Sequence, residues 1–320
     1  MSAGFAGPQL AVNQRVIELI GGTPVVELRS IVPPGHARVL VKLESHNPTG
    51  SMKDRAALAM VQRAADDGRL PPGGTVVECT SGSTGTSLAM VAVALGYRCL
   101  LVTSDAFSDE KLAHMRALGA ELALIGSDDK QITESLVKAL IETSRQLSEQ
   151  PGHYWADQFH NPDGMAGYHA LGEELARQVG GRLDAFVHSV GTAQSLHGTT
   201  EALRRHQPDV RVVAVEPAES PVYSAGRSGA HKIEGIGMGF VVPLWRPELV
   251  DEVLTVSTDE AKAMARQLAR EEGLFGGASS GANVAAALRV AARLGPDATV
   301  ATLLVDSGIK YLSTDVYHPA

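Results

Sequence analysis

The sequence predicts an α/β protein of two doubly wound units on mostly parallel sheets. Three observations carry this. Apolar, β-rich runs alternate with segments of helical periodicity along most of the chain. The runs lack polar alternation, the pattern of strands covered on both faces. The alternation breaks once, around 151–167, where aromatic and polar residues replace it and mark a join between two units.

Thr75–Thr80 (TVVECT) predicts a strand and Thr84–Leu95 a helix. Arg98–Thr103 predicts a strand, and Asp109–Leu118 a helix with Leu112, Met115 and Leu118 on its core face. Glu121–Ile125 predicts a strand, and a helix is expected over roughly Gln131–Ser148. Beyond the join come strand Ala185–Val190, helix Leu196–Arg205 and strands Arg211–Val215 and Glu252–Val256. Helices Thr258–Glu272 and Ala282–Leu294 and strand Thr299–Val305 close the series. Lys42, in VLVKLE, reads as a strand lysine.

The composition is that of an ordinary globular protein: 320 residues, 44% apolar and 20% charged. Twenty-eight basic against thirty-six acidic residues give a net charge of −8, which argues against nucleic acid or an anionic membrane as partner. Small anionic substrates need only local donors and stay open. Cys79 and Cys99 sit in apolar runs and read as buried thiols rather than a redox pair. No signal peptide and no membrane-length apolar run is visible, so a cytoplasmic protein is expected. His188, His197 and His231 are scattered without ligand spacing, so no metal is expected and they read as ordinary or rim residues.

The stretch NPTGSMKDR (47–55) places Lys53 after a run of turn formers, just where an Ala-rich helical segment begins. By itself this reads as a solvated charge cluster at a helix start. Three small-residue loops change the picture, because each opens a helix and the first two directly follow a strand, where parallel sheets bind ligands. Thr80-Ser-Gly-Ser-Thr-Gly85 carries four hydroxyls, and an N-cap needs only one. Val190-Gly-Thr-Ala-Gln-Ser195 has anion-site geometry without Lys or Arg. It is neither a P-loop nor a dinucleotide fingerprint, and a plain tight turn remains open. Phe275-Gly-Gly-Ala-Ser279-Ser-Gly281 is either a cap or a loop presenting a hydroxyl.

NPTGSMKDR, TSGSTG, Gln158 with NPDG, VGTAQS, VEPAESPV, HKIEGIGMGF, GGASSGAN and YLST resemble, in order and approximate spacing, the motifs of the cysteine synthase family of fold type II pyridoxal-phosphate enzymes. The resemblance runs from about Ile17 to Thr314. It implies the tryptophan synthase β-subunit-like fold. A smaller, mobile domain over 44–155 would carry Lys53 and the substrate loop, and a larger one over 1–43 and 156–320 the phosphate cup. The cofactor implied is pyridoxal 5'-phosphate. Lys53 looks like its Schiff-base lysine. Thr80, Ser81, Gly82 and Thr84, with Gln158, look like the substrate-carboxylate site, Ser83 lying near the cofactor. Gly191, Thr192, Ala193, Gln194 and Ser195 look like the phosphate cup, Ser279 like the partner of the ring nitrogen, and Gly235 like part of the mouth.

The activity implied is β-replacement on an activated L-serine, O-acetylserine or O-phosphoserine. It runs through an aminoacrylate and gives L-cysteine or a close analogue. Lysine amines form imines and act as general bases, so the residue type suits that role. Alternatives are an amine or other nucleophile in specialised amino-acid biosynthesis, dehydratase-type β-elimination, or a non-catalytic binding protein. A homodimer is implied; docking of a serine acetyltransferase is possible but not indicated.

The sequence departs from the family pattern in places. Ser83 stands where the loop usually has Asn. Ala193, Gln194 and Ser195 replace Gly, Gly and Thr, and an alanine there suits a tight turn only at negative φ. Arg227, in SPVYSAGRSGAHK, is either a solvated loop residue or a selector for an anionic leaving group.

Overall fold

The computed structural model describes residues 15–127 and 134–318. Within them ten strands form two sheets. The smaller is built from β3 (Thr75–Cys79), β4 (Arg98–Ser104), β5 (Glu121–Ile125) and β6 (His153–Trp155), in the order β5-β4-β3-β6, all parallel. The larger is built from β1 (Val25–Glu27), β2 (Arg38–Leu43), β7 (Ala185–Ser189), β8 (Arg211–Pro217), β9 (Glu252–Val256) and β10 (Thr299–Leu304). Its order is β1-β2-β10-β7-β8-β9, parallel throughout except that β1 runs antiparallel to β2. The expectation of two α/β units with mostly parallel sheets holds.

The central strands form because they have no wet face. Every residue of β3, β7 and β10 is buried, and near-continuous apolar runs satisfy both faces at once. The helices that cover them are α1 (Lys53–Asp66), α2 (Ser83–Leu95), α3 (Asp109–Ala117) and α4 (Glu134–Ser148), then α5 (Asp163–Gly167), α6 (His169–Val179) and α7 (Gln194–His206). A short α8 (Val222–Ala225), α9 (Thr258–Gln267) and α10 (Ala278–Leu294) complete the set.

Several boundaries differ from the sequence reading. The helix expected from 131 begins at Glu134 here; residues 131–133 lie outside the described residues. Helix 258–272 is α9 followed by a wider, π-type turn over Leu268–Glu272. Both α7 and α10 start earlier than expected, so Ser195 and Ser279 sit in first helical turns rather than in loops. In α10 the cause is close packing: a methyl group on Gly281 would collide with the Ala261 carbonyl of α9, so the small residues belong to the helix crossing. The short β6 and α5 occupy the region read only as a join, and α6 follows directly after it.

The topology positions the chemistry. β2, β10 and β7 are neighbours, and their carboxyl ends deliver segments 44–52, 305–310 and 190–193 side by side. β3 and β6 are neighbours in the other sheet and deliver 80–82 and Gln158. A bridge between Ser51 and Asp306 and the Met52 N–H on the Val305 carbonyl (2.9 Å) tie the turn before α1 to the larger sheet.

Candidate active site

The turn before α1 is fixed by its own charged residues. Gly50 at φ 72° takes the left-handed position, and its N–H closes on the Asn47 carbonyl at 2.7 Å. Asp54, fully buried, accepts the Thr49 N–H at 2.8 Å and the Ser87 hydroxyl of α2 at 2.6 Å. Arg55, 3% exposed, grips Glu44 (Nε to Oε2, 2.7 Å) and Glu174 of α6 (2.8 Å). A solvated KDR cluster is therefore wrong for Asp54 and Arg55: both are buried clamps, each held by several hydrogen-bonding or charged partners.

Lys53 is what remains. Its amine makes no hydrogen bond or ion pair among the described residues, while its backbone N–H meets Ser51 Oγ at 3.2 Å. Burial pushes the amine down to about 8, against an upward pull from Asp306 and with a further downward push from Lys310. The alternative amine, Lys42, is wholly engaged by the Thr23 carbonyl (2.9 Å), Gln178 (2.8 Å) and Glu174 (2.8 Å), so it has no amine to offer.

The 80–85 loop is shaped from within. Thr80 Oγ1 accepts the N–H groups of Gly82 (3.1 Å) and Gly85 (3.0 Å), so this hydroxyl braces the loop instead of facing a ligand. Gly85 must be glycine, since a methyl group would strike Thr80 and Met115. Ser81 is exposed and Gly82 lies under the Lys111 stem. Thr84 donates to Gln158 Oε1 at 2.8 Å, while Gln158 Nε2 donates to the Cys79 carbonyl at 3.1 Å. One amide hydrogen of Gln158 stays uncommitted.

The 190–195 loop leads into α7. The N–H groups of residues 191–195 have no backbone partner among the described residues, and all five residues are buried. Ala193 adopts φ 67°, which corrects the expectation of negative φ. Burial and the bond from the Gln194 amide explain it: Gln194 Nε2 donates to the carbonyls of Gln158 and Asn161, both at 3.0 Å. The Gln194 side chain thus braces a neighbouring loop and does not face the cup; only its N–H does. Gly191 lies so close to Gly235 that a methyl group would strike the Gly235 carbonyl, and Gly237 N–H bonds the Val190 carbonyl at 3.0 Å. Cup and mouth are in direct contact.

Ser279 is 3% exposed, and no hydrogen bond of its hydroxyl is recorded among the described residues. Ser83 Oγ lies 3.3 Å from Asp306 and receives the Lys310 amine at 3.3 Å. Tyr311 donates to Asp306 at 2.7 Å. Arg227 is exposed and makes no side-chain hydrogen bond or ion pair among the described residues. Sequence reasoning missed Asp306, Lys310 and Lys111. The first two directly follow the last strand and precede YLST, a position that could have flagged them. Lys111 pairs with Glu234 in the mouth segment. Cys79 and Cys99 are both buried free thiols, as expected, and burial pushes Cys99 up to about 12.

Residues 16–306 match the family model described as pyridoxal-phosphate dependent enzyme. A cysteine synthase from Staphylococcus aureus is 41% identical over 305 residues, 94% of this chain and 96% of its own length. The chain belongs to the cysteine synthase family of pyridoxal-phosphate dependent enzymes. The solved cysteine synthase of Entamoeba histolytica is similar throughout, with TM-score 0.92 and 35% identity over 100% of this chain and 95% of that one. A solved O-ureido-L-serine synthase has TM-score 0.88 and 37% identity over 97% and 96% of the two chains.

The residues of this pyridoxal-phosphate enzyme fit the cofactor. Five buried N–H groups leading into a 13-residue helix, unpaired among the described residues, suit a dianion. A free amine of lowered pKa suits an aldehyde. The buried Ser279 hydroxyl, without a partner among the described residues, suits an unprotonated ring nitrogen.

Proposed function

We propose that the protein catalyses β-replacement on an activated L-serine, forming L-cysteine or a close analogue. One observation carries the reading. A free amine at Lys53, the uncommitted donors of 191–195 and the hydroxyl-rich 80–85 loop gather at the carboxyl ends of strands from both sheets. Lys53 would hold the cofactor aldehyde. The N–H groups of Gly191 to Ser195, with the hydroxyls of Thr192 and Ser195, would hold its phosphate. Ser279 would meet its ring nitrogen. Bound pyridoxal phosphate supplies an electron sink for charge released at the substrate Cα.

The chain's own groups do the remaining work. Lys53, partly neutral near pH 8, takes the Cα proton as general base. The Ser81 hydroxyl and N–H and the Thr84 N–H, with the spare Gln158 hydrogen, would bind the substrate carboxylate, while the Gly82 N–H and the Thr84 hydroxyl stay on Thr80 and Gln158. Thr80 sets the shape of that loop. The neutral Ser279 hydroxyl leaves the ring a moderate sink, which favours loss of a β-substituent. Closure of 44–155 over the rest, Lys111 meeting Glu234 across the mouth, would exclude water. A cytoplasmic homodimer belongs to the same reading through the family likeness alone.

The test is an absorption spectrum of the holoenzyme with O-acetyl-L-serine and no acceptor, followed by sulfide and amino-acid analysis. A change in the visible band, reversed by sulfide with L-cysteine formed, supports the reading. Pyruvate released without an acceptor would move the activity to elimination. An unchanged spectrum with both O-acetyl- and O-phospho-L-serine would leave a binding protein.

A further inference from the structure

A buried polar chain runs beneath the cup loop. His188, on β7, is fully buried. Its Nε2 lies 2.8 Å from Ser195 Oγ and its Nδ1 lies 3.2 Å from Asn283 Nδ2 on α10. The orientation of Asn283 is fixed by the backbone. Its Oδ1 accepts the Ser189 N–H at 2.8 Å, and its Nδ2 donates to the Leu303 carbonyl at 3.1 Å. Reversing that amide would set donor against donor and acceptor against acceptor, so Nδ2 is the atom that faces the imidazole.

The proton positions follow. Asn283 Nδ2 is a donor, so His188 Nδ1 must be bare. An imidazolium would set two N–H groups against each other. The imidazole proton therefore sits on Nε2 and is donated to Ser195 Oγ. That bond uses an acceptor site of the hydroxyl, and the hydroxyl's own hydrogen finds no acceptor among the described residues. Ser195 lies in the first turn of α7, beside the unpaired N–H groups of the cup.

We propose that His188, held by Asn283 as the Nε2–H tautomer, is a positioning residue that makes the Ser195 hydroxyl an obligate donor to the cofactor phosphate. The proposal rests on the reading of 191–195 as the phosphate cup. A serine free to rotate could act as donor or acceptor, and accepting is useless toward a dianion. His188 removes that freedom. It compensates for the looser cup implied by Ala193 and by a Gln194 side chain turned elsewhere.

The test compares cofactor retention by equilibrium dialysis, read by absorbance, in the full-length holoenzyme and in Ser195→Ala, His188→Leu, His188→Gln and the Ser195→Ala/His188→Leu double variant. A hydrogen bond to a charged group is worth about tenfold in affinity. Each of Ser195→Ala and His188→Leu should loosen pyridoxal phosphate about tenfold, and the double variant no further. His188→Gln, whose amide can donate at the Nε2 position, should recover most of the loss. If Ser195→Ala loosens the cofactor and His188→Leu does not, the proposal fails while the cup stands. If both Ser195→Ala and Thr192→Ala leave retention unchanged, the cup reading itself fails. Should His188→Leu not fold, 15N spectra of histidine-labelled wild type, assigned against His188→Gln, decide it. The Nε2–H tautomer is required, and an Nδ1–H signature overturns the proposal.

Discussion

The carboxyl group of Glu78, at the end of β3, accepts the backbone N–H of Gln158 at 3.0 Å and that of Cys79 at 2.9 Å. It joins the loop that follows β3 to the segment that follows β6. Burial pushes Glu78 up to about 8, helped by Asp157 and opposed by the N–H donors of Gln158 and Cys79. The folded state therefore holds this proton more tightly than the unfolded state. The stability it contributes is full below about 4.5 and is lost as pH rises toward 8. Glu78→Gln cannot titrate, so its unfolding free energy between pH 5 and about 8 should slope less steeply downward than wild type. Parallel denaturation curves for the two proteins across that range would sink the assignment.

His188 has the opposite sign. Burial, then the charge of Lys53, holds it down to about 3 from an ordinary 6.5. Its contribution is full above about 6.5 and drains away as pH falls toward 3. In wild type, acid should loosen stability through that window, and His188→Gln should be flatter there. Chemical denaturation at pH 7, 5.5 and 4.5 reads the difference.

Lys53 titrates near 8. The neutral amine is the nucleophile, so the apoprotein should capture pyridoxal phosphate faster as pH rises through about 8, levelling above it. Stopped-flow absorbance on apoprotein checks this. Lys53→Ala should lose covalent attachment while 191–195 still retain the cofactor weakly. A capture rate flat from pH 7 to 9 would mean the amine titrates elsewhere.

Ala193 is an L-residue at φ 67°. Left-handed backbone costs roughly 1–2 kcal/mol without glycine, and glycine's extra unfolded freedom takes back roughly 0.4–1 kcal/mol. Ala193→Gly should stabilise the protein by about 0.5 kcal/mol, net of those two terms. Ala193→Val should destabilise it and weaken cofactor retention. Melting points of the cofactor-loaded proteins give the order; valine equal to alanine would contradict the geometry.

Lys310 is a second candidate cation for sensing an anionic leaving group, since its amine reaches Ser83 whereas Arg227 is exposed. Lys310→Ala should change the ratio of O-phospho- to O-acetyl-L-serine kcat/KM by about tenfold, and Arg227→Ala should leave it alone. Equal ratios in Lys310→Ala and wild type would remove Lys310 from that role.

The sequence made the doubly wound sheets legible because β3, β7 and β10 are buried on both faces and so carry unbroken apolar runs. It could not show β1 or β6, which at three residues each have no period to read. The loops around Lys53, Gly82 and Gly191 stood out because small residues cluster at strand–helix junctions. Their side-chain roles did not. Thr80 and Gln194 turn to brace backbone, and that depends on neighbours brought in by folding. His188 passed as ordinary because its partner Asn283 is 95 residues away, and Asp306 was missed because it meets Ser83 across 223.

Lys53 stands on a segment moored in two directions. Ser51 and Met52 are bonded to the end of β10, and Asp54 is bonded to Ser87 on α2. A rotation of one sheet against the other would pivot here. The amine would then lie near the axis and the 80–85 loop at the radius, so a ligand held by that loop would travel while the amine stays still. Apo and substrate-bound structures should superpose at Lys53 while Gly82 shifts.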